Sequence, residues 1–376
     1  PASIYGGPIF SSLHACEALA EFDDFEVCVS TTNANMVSRL DVKTNQWIKF
    51  KSNFFVKYYN ETIIGKFSLP LFLNAWKDIK KADIVHIQAI FSTPTPISLL
   101  YAKLFNKPVL LSPRGSFCDW GLNQGSKFKS LWTWGLIKPF SQYISWHATS
   151  EQEKKDILKH FPEAKIFVIT NGIELQLFSD TNYIDKQTFV NKYTGKNLEP
   201  SKIIVSMGRI HKVKGFDILI ESFSRLLVSC KDAVLLIAGK NVGEKNKLLE
   251  LINQNNLVEY VFFVGELSGQ DKFDFLANAD LFVLPSHTEN FGNVYIESLA
   301  SGTPIVASKN TPWSEVDEAD CGKWVNNTIE ETAQAMVEVL QKDREQMRKK
   351  AKELAKKYDW KNIALQFKNV FEEMIR

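Results

Sequence analysis

The chain has 376 residues, 45% hydrophobic and 23% charged, with a formal net charge of +2. That length exceeds one ordinary core and predicts two domains, while the composition excludes a disordered or fibrous chain and the near-zero charge argues against a dedicated nucleic-acid binder. No apolar run approaches the roughly 18 residues that cross a bilayer, no signal-peptide pattern opens the chain, and five cysteines without a Cys-x-x-Cys spacing read as reduced thiols, so the expectation is a cytoplasmic protein.

Charge is uneven along the chain. Residues 1–170 carry 19 Lys+Arg against 14 Asp+Glu, a balance of +5, and the remainder 26 against 29, a balance of −3, which sum to the total of +2. The first half is the one expected to face something anionic.

Taken in chain order, Pro1-Ala-Ser-Ile-Tyr-Gly6-Gly7-Pro8 reads as a loop feeding a helix over Pro8–Leu19. A doubly wound fold expects a strand before such a loop, so a first strand is expected to be missing ahead of Pro1. Phe25–Ser30, Asp83–Ile87, Pro108–Leu111 and Ile144–Ala148 read as strands, and Pro96–Phe105 and Glu151–His160 as helices. After the strand Ile166–Ile169 a boundary is expected near Asn171-Gly172. Beyond it the rhythm sharpens: strands at Lys202–Met207, Ala233–Ala238, Tyr260–Val264, Leu281–Leu284 and Pro304–Ala307 alternate with helices at Phe216–Cys230, Glu244–Asn255, Gln270–Asn278 and Asn293–Ser301. Such alternation implies parallel sheets covered on both faces. Ligands then bind at the carboxyl ends of the strands.

Three loops at strand ends carry chemistry. Gly6-Gly7 allows close backbone approach to a phosphate, although a plain turn would look the same. Gly208-Arg209-Ile-His-Lys-Val-Lys214-Gly215 offers a guanidinium fork and a mobile ammonium at a helix start, which suits a diphosphate or else is a solvated basic loop. It is not a Walker A loop, and no Gly-x-Gly-x-x-Gly is present. Glu289-Asn-Phe-Gly-Asn-Val-Tyr-Ile-Glu297 places two carboxylates where a strand turns into a helix. Two carboxylates would repel phosphate alone; they make sense for a ligand with both phosphate and hydroxyls, as in a nucleotide sugar. Both come from one loop and helix, unlike the acid and base of a glycosidase.

This ordered set, with Ala148-Thr-Ser-Glu, Val168-Ile-Thr-Asn-Gly-Ile, Ser301-Gly-Thr-Pro and Tyr358-Asp-Trp, resembles glycosyltransferase family 4 over nearly the whole chain. The resemblance implies a retaining enzyme of the α/β GT-B fold, two Rossmann-like domains facing across a central cleft. Residues 1–170 would form the acceptor domain, 171–357 the nucleotide-sugar domain, and 358–376 a helix packing back on the first. Arg209 and Lys214 would hold the donor diphosphate. Glu297 would accept from the ribose, and Glu289 would lie against the transferred sugar. Asn290, Phe291, Gly292, Asn293 and Val294 would line the donor with backbone groups. Gly265, Glu266 and Leu267 would border the base, and Gly6 and Gly7 would approach the phosphate. The donor is expected to be a UDP- or GDP-sugar, with no cofactor and no metal, since no Asp-x-Asp occurs and the two cations replace it.

His86 falls where relatives carry a cleft-facing histidine; a satisfied structural histidine is the other reading. Arg114, in Ser-Pro-Arg-Gly, stands where many relatives have a histidine. It is permanently charged and cannot be a general base, so it would bind phosphate instead. Trp47–Tyr59 and residues 127–140 mix Lys with aromatic residues, the composition of either a membrane interface or ordinary amphipathic packing. The expected partners are a nucleotide-sugar donor and a glycan acceptor, lipid-linked if those stretches meet an anionic membrane, and no nucleic acid. The expected setting is bacterial surface-polysaccharide assembly. A nucleotide-sugar epimerase of similar fold and a non-catalytic nucleotide-sugar binder remain as alternatives.

Overall fold

In the computed structural model, residues 2, 6–63, 67–118 and 126–376 are described. The stretch ahead of Gly6, on which the missing first strand turns, lies mostly outside them. The chain divides into two compact units, residues 1–172 with 360–376, and residues 173–359.

In the first unit, helix α1 (Gly7–Leu19) is followed by β1 (Val27–Thr32), a short hairpin of β2 (Ala34–Asn35) and β3 (Ser38–Arg39), then β4 (Trp47–Lys51) and β5 (Phe54–Tyr59). β5 pairs parallel to β1 and antiparallel to β4. Next come α2 (Leu69–Lys81), β6 (Val85–Gln88), α3 (Pro94–Leu104), β7 (Val109–Ser112), α4 (Ser126–Trp132), β8 (Ile144–Ala148), α5 (Glu151–His160) and β9 (Lys165–Val168). β6 to β9 form a parallel sheet in sequence order. One face, with Ile87, Val109 and Leu111, packs against α2, α3 and α5, and the other meets α1 and the chain's last helix. Strand alternation sends Leu110 to that second face.

For the Trp47–Tyr59 stretch, packing accounts for part of the pattern. The stretch is the β4–β5 ribbon, and Phe54, Val56 and Tyr59 are buried core, leaving Trp47 and Phe50 exposed. Two of its six aromatic residues, Phe54 and Tyr59, are therefore core packing in a strand pair with one covered face.

The second unit runs α6 (Lys186–Thr194), β10 (Ile203–Met207), α7 (Phe216–Leu226), β11 (Val234–Ala238), α8 (Lys245–Gln254), β12 (Val261–Gly265), α9 (Gly269–Ala277), β13 (Leu281–Leu284), α10 (Asn293–Ala300), β14 (Ile305–Ser308), α11 (Glu315–Glu318), β15 (Gly322–Val325), α12 (Ile329–Leu340) and α13 (Arg344–Lys356). The parallel sheet has the order β12-β11-β10-β13-β14-β15. Strands β10, β11, β13 and β14 are buried along their whole length, as continuous apolar runs covered on both faces must be. The strand order reverses between β10 and β13, which makes their carboxyl ends the ligand-binding switch point. At the outer edge, Asp317 accepts from Trp324 N (3.1 Å) and Glu331 from Asn326 N (2.9 Å), so carboxylates cap the free amides of β15.

The last helix, α14 (Trp360–Ile375), belongs to the first unit, where it packs on α1. A Cβ on Gly172 would lie 2.5 Å from the Trp360 ring, so this glycine exists to let the indole in.

Candidate functional site

At the switch point of the second unit two loops meet. After β10 the chain passes through Gly208, Arg209 and a single turn of 3₁₀ helix at Lys212–Lys214, and Gly215 then starts α7 with φ +66°. A Cβ there would lie 2.1 Å from the Pro285 carbonyl, so only glycine lets the loops approach this closely. His287 N donates to Val213 O at 2.8 Å and ties the loop after β13 to the first. Lys214 runs past Gly208, whose missing side chain leaves it room.

The Lys214 ammonium is hydrogen-bonded to Glu289 Oε1, which also accepts from Ser286 Oγ at 3.0 Å. Arg209 is exposed and makes no ion pair among the described residues. Gly292, at φ +80°, caps α10, and a Cβ on it would strike the Tyr295 ring at 2.6 Å. Gly292 provides no side-chain cap, and Asn293 and Val294 form the first turn of α10, the positive end of its dipole. Glu297 lies one turn further on and pairs with Lys272 of α9 at 2.8 Å.

An aromatic cluster holds this loop in place. Trp313 is fully buried and donates its indole N–H to Phe291 O at 2.7 Å, while Tyr295 donates to Leu284 O at 2.7 Å. The rings of Phe291, Trp313 and Tyr358 pack at tilted angles within 5.9 Å of one another. Gly265 O accepts from Gly239 N at 2.7 Å, and Gly239 in turn abuts Gly208 O; Gly265 and Glu266 are exposed beside this junction, with Leu267 half-buried. The structure thus gathers Arg209, Lys214, Glu289, Asn290, Phe291, Gly292, Asn293, Val294 and Glu297 at one switch point, with 265–267 next to it.

The first unit holds a different constellation. His147 Nε2–H donates to Ile169 O (2.8 Å), Ser112 donates to His147 Nδ1 (2.7 Å), and His86 Nε2 lies within hydrogen-bond distance of Ser112 Oγ (2.8 Å) and of the Gln88 amide Nε2 (2.9 Å). His86 and His147 both pack against Phe367 of α14, at 5.8 and 5.0 Å. Burial, followed by the nearby Arg114 charge, holds His86 down to about 3 and His147 well below its usual value. Strand alternation turns the His86 ring onto the sheet face where α14 packs, against Phe367 and Phe371, and leaves it half-buried. In this setting the ring is held neutral.

Arg114 is different. Its backbone is left-handed at φ +55°, an uncommon state for a residue with a side chain. Its Nε donates to Gln88 Oε1 (2.8 Å) and its Nη1 to Asn171 Oδ1 (3.1 Å); Nη2 has no acceptor among the described residues. Glu153 holds the loop: its carboxylate accepts from Gly115 N (2.6 Å), Thr149 N (2.7 Å) and Thr149 Oγ1 (2.9 Å), and Ser150 caps its own amide. That is the Ser-x-x-Glu start of α5 turned to a second use. Gly6 caps α1 with φ +75° and ψ −150°, a conformation only glycine adopts readily, and Gly7 is the exposed first residue of that helix.

Sequence reading missed Lys272, Ser286, Gln88, Asn171 and Glu153. Each acts on a motif residue through space; Glu153, the Glu of Ser150-x-x-Glu153, is the one with a local signal.

Glycosyl transferases group 1 is the family matched over residues 191–358, and Glycosyltransferase Family 4 that over residues 6–177. The chain belongs to the family 4 glycosyltransferases. An uncharacterised glycosyltransferase of Methanocaldococcus jannaschii, MJ1607, is 30% identical over 59% of this chain and 58% of its own length. The chain spans 58%, 25% and 55% of the first three curated relatives that it matches. Among solved structures, WaaG, a glycosyltransferase involved in lipopolysaccharide biosynthesis, aligns with a TM-score of 0.67 at 15% identity, covering 97% of this chain and 96% of that one. Anabaena HepE in complex with UDP aligns at 0.67 and 17% identity, covering 85% and 86%. The fold is GT-B.

Proposed function

We propose that this family 4 glycosyltransferase moves a hexose, with retention, from a UDP- or GDP-sugar bound by the second unit to a glycan acceptor received by the first. The carrying observation is the switch-point set: an exposed Arg209 with no ion pair among the described residues, Lys214 on Glu289, and Glu297 a helical turn into α10. The bond from the anomeric carbon to the phosphate oxygen breaks. The acceptor oxygen bonds to that carbon and gives up its proton, and the nucleoside diphosphate departs with the electron pair. Arg209, Lys214 and the N-terminal end of the α10 dipole meet the charge that grows on the leaving group. Glu289 takes a sugar hydroxyl and Glu297 the ribose, with no metal needed. HepE, seen with UDP, supports a uridine nucleotide as one donor class.

Arg114, held by Gln88 and Asn171 with Nη2 free among the described residues, is assigned to an anionic group of the acceptor. WaaG's role in lipopolysaccharide biosynthesis supports surface polysaccharide as the setting and a lipid-linked glycan as the acceptor. Exposed Phe128, Leu131 and Trp134 beside Lys129 supply a surface for anionic membrane.

Arg209→Ala, Lys214→Ala and Glu289→Ala are each expected to cut transfer by about 10²-fold or more, the usual size of one lost charge stabiliser, while melting temperature changes little. Near-normal turnover in all three refutes the site. Sugar isomerised with donor alone, and no transfer with acceptor, would establish the epimerase instead.

A further inference from the structure

Two carboxylates beside a diphosphate are an electrostatic difficulty, and each has its own lysine. Lys214 serves Glu289. Lys272 serves Glu297 at 2.8 Å, yet it belongs to no motif and lies 25 residues away in sequence. It sits in the first turn of α9, directly after the Gly265–Leu267 stretch. Both partners are partly buried, at 23% and 20% exposure. The ammonium also lies 5.1 Å from the Phe273 ring centroid, and that ring packs at a tilt against Phe178, 4.4 Å away. The cation is thus held from two sides. The ion pair uses Oε1 of Glu297, and Oε2 accepts no hydrogen bond among the described residues.

We propose that Lys272 is a positioning and specificity-determining residue of the nucleotide site. It fixes the Glu297 carboxylate with Oε2 turned out to accept from the ribose diol, and its charge offsets the repulsion between that carboxylate and the adjacent diphosphate. The inference rests on the reading of Glu297 as the ribose acceptor. Ribose hydroxyls donating to an ionised acceptor make the stronger class of hydrogen bond, so recognition of ribo- over deoxyribonucleotides depends on how well that acceptor is held.

The test is calorimetric binding of UDP and GDP, and of their 2′-deoxy and 3′-deoxy counterparts, to the full chain and to four variants. In Lys272→Met, affinity for the preferred ribonucleotide should fall about tenfold or more, and the preference over its deoxy counterparts should shrink toward one. Lys272→Arg should restore most of both, and Lys272→Gln should restore orientation without charge and fall between. A purely structural lysine would weaken ribo and deoxy nucleotides by the same factor, and that result overturns the proposal. Glu297→Ala separates the two layers. If it abolishes the ribose preference while Lys272→Met retains it, the Lys272 role falls and the Glu297 reading stands. If Glu297→Ala leaves the preference intact, both fall.

Discussion

Glu289, His86 and Arg114 show how a residue's chemistry is set by what touches it. Glu289 without Lys214 and Ser286 would be a repulsive charge; with them it is a fixed acceptor. His86 without its cover would titrate near 6.5, yet beneath Phe367 and beside Arg114 it is held down to about 3. This has a consequence for stability. Between pH 6.5 and about 3 the unfolded chain binds protons at His86 and His147 that the folded chain refuses. Stability should therefore rise with pH through that window and be lost as pH falls. Each histidine adds at most about 1.4 kcal/mol per pH unit. Urea midpoints measured from pH 6.5 to 5, above the range where ordinary carboxylates titrate, should fall in the parent and flatten in His86→Asn. An unchanged slope in that variant would mean that the ring is not held neutral.

At the scale of elements, the site is a product of loop approach. Gly215 permits the β10 and β13 loops to touch, with its missing Cβ only 2.1 Å from Pro285 O. Gly215→Ala should cost about 1–2 kcal/mol for the left-handed backbone and about 1–3 kcal/mol more for the forced contact. It should also weaken nucleotide binding by moving Lys214 off Glu289. Denaturant unfolding and calorimetry measure the two separately, and a fully stable variant would show that the loops can separate without strain. The strands of this unit were legible because buried parallel strands must be continuous apolar runs. The β4–β5 ribbon was not, because its Lys and aromatic residues fit an interfacial stretch as well as a strand pair until Phe54 and Tyr59 are seen in the core. Helices α2, α6, α12 and α13 lacked a motif to announce them.

At the scale of the whole molecule, the positive balance of residues 1–170 coincides with exposed apolar surface. Phe128, Leu131 and Trp134 are 68%, 66% and 70% exposed in and after α4. On α2, Phe72, Leu73 and Trp76 are exposed beside Lys77 and Lys80. Among the described residues no helix is long and apolar enough to cross a membrane. The membrane contact proposed above rests on this surface. The protein should co-sediment with liposomes containing anionic lipid and lose binding at raised salt, and Trp134→Ala combined with neutralised Lys127 and Lys129 should abolish pelleting. Absence of pelleting by the parent protein would remove the membrane from the proposal.

The sequence by itself determined the family, the alternation of strands and helices, and the switch-point residues, because glycines, charged loops and apolar runs of fixed spacing are local features. Tertiary structure alone decided which cation serves which carboxylate. Lys272 reaches Glu297 from another helix, Gln88 and Asn171 aim Arg114 from separate strand ends, and α14 covers His86 from the far end of the chain. Such pairings depend on distance in space, and separation along the chain carries no trace of them.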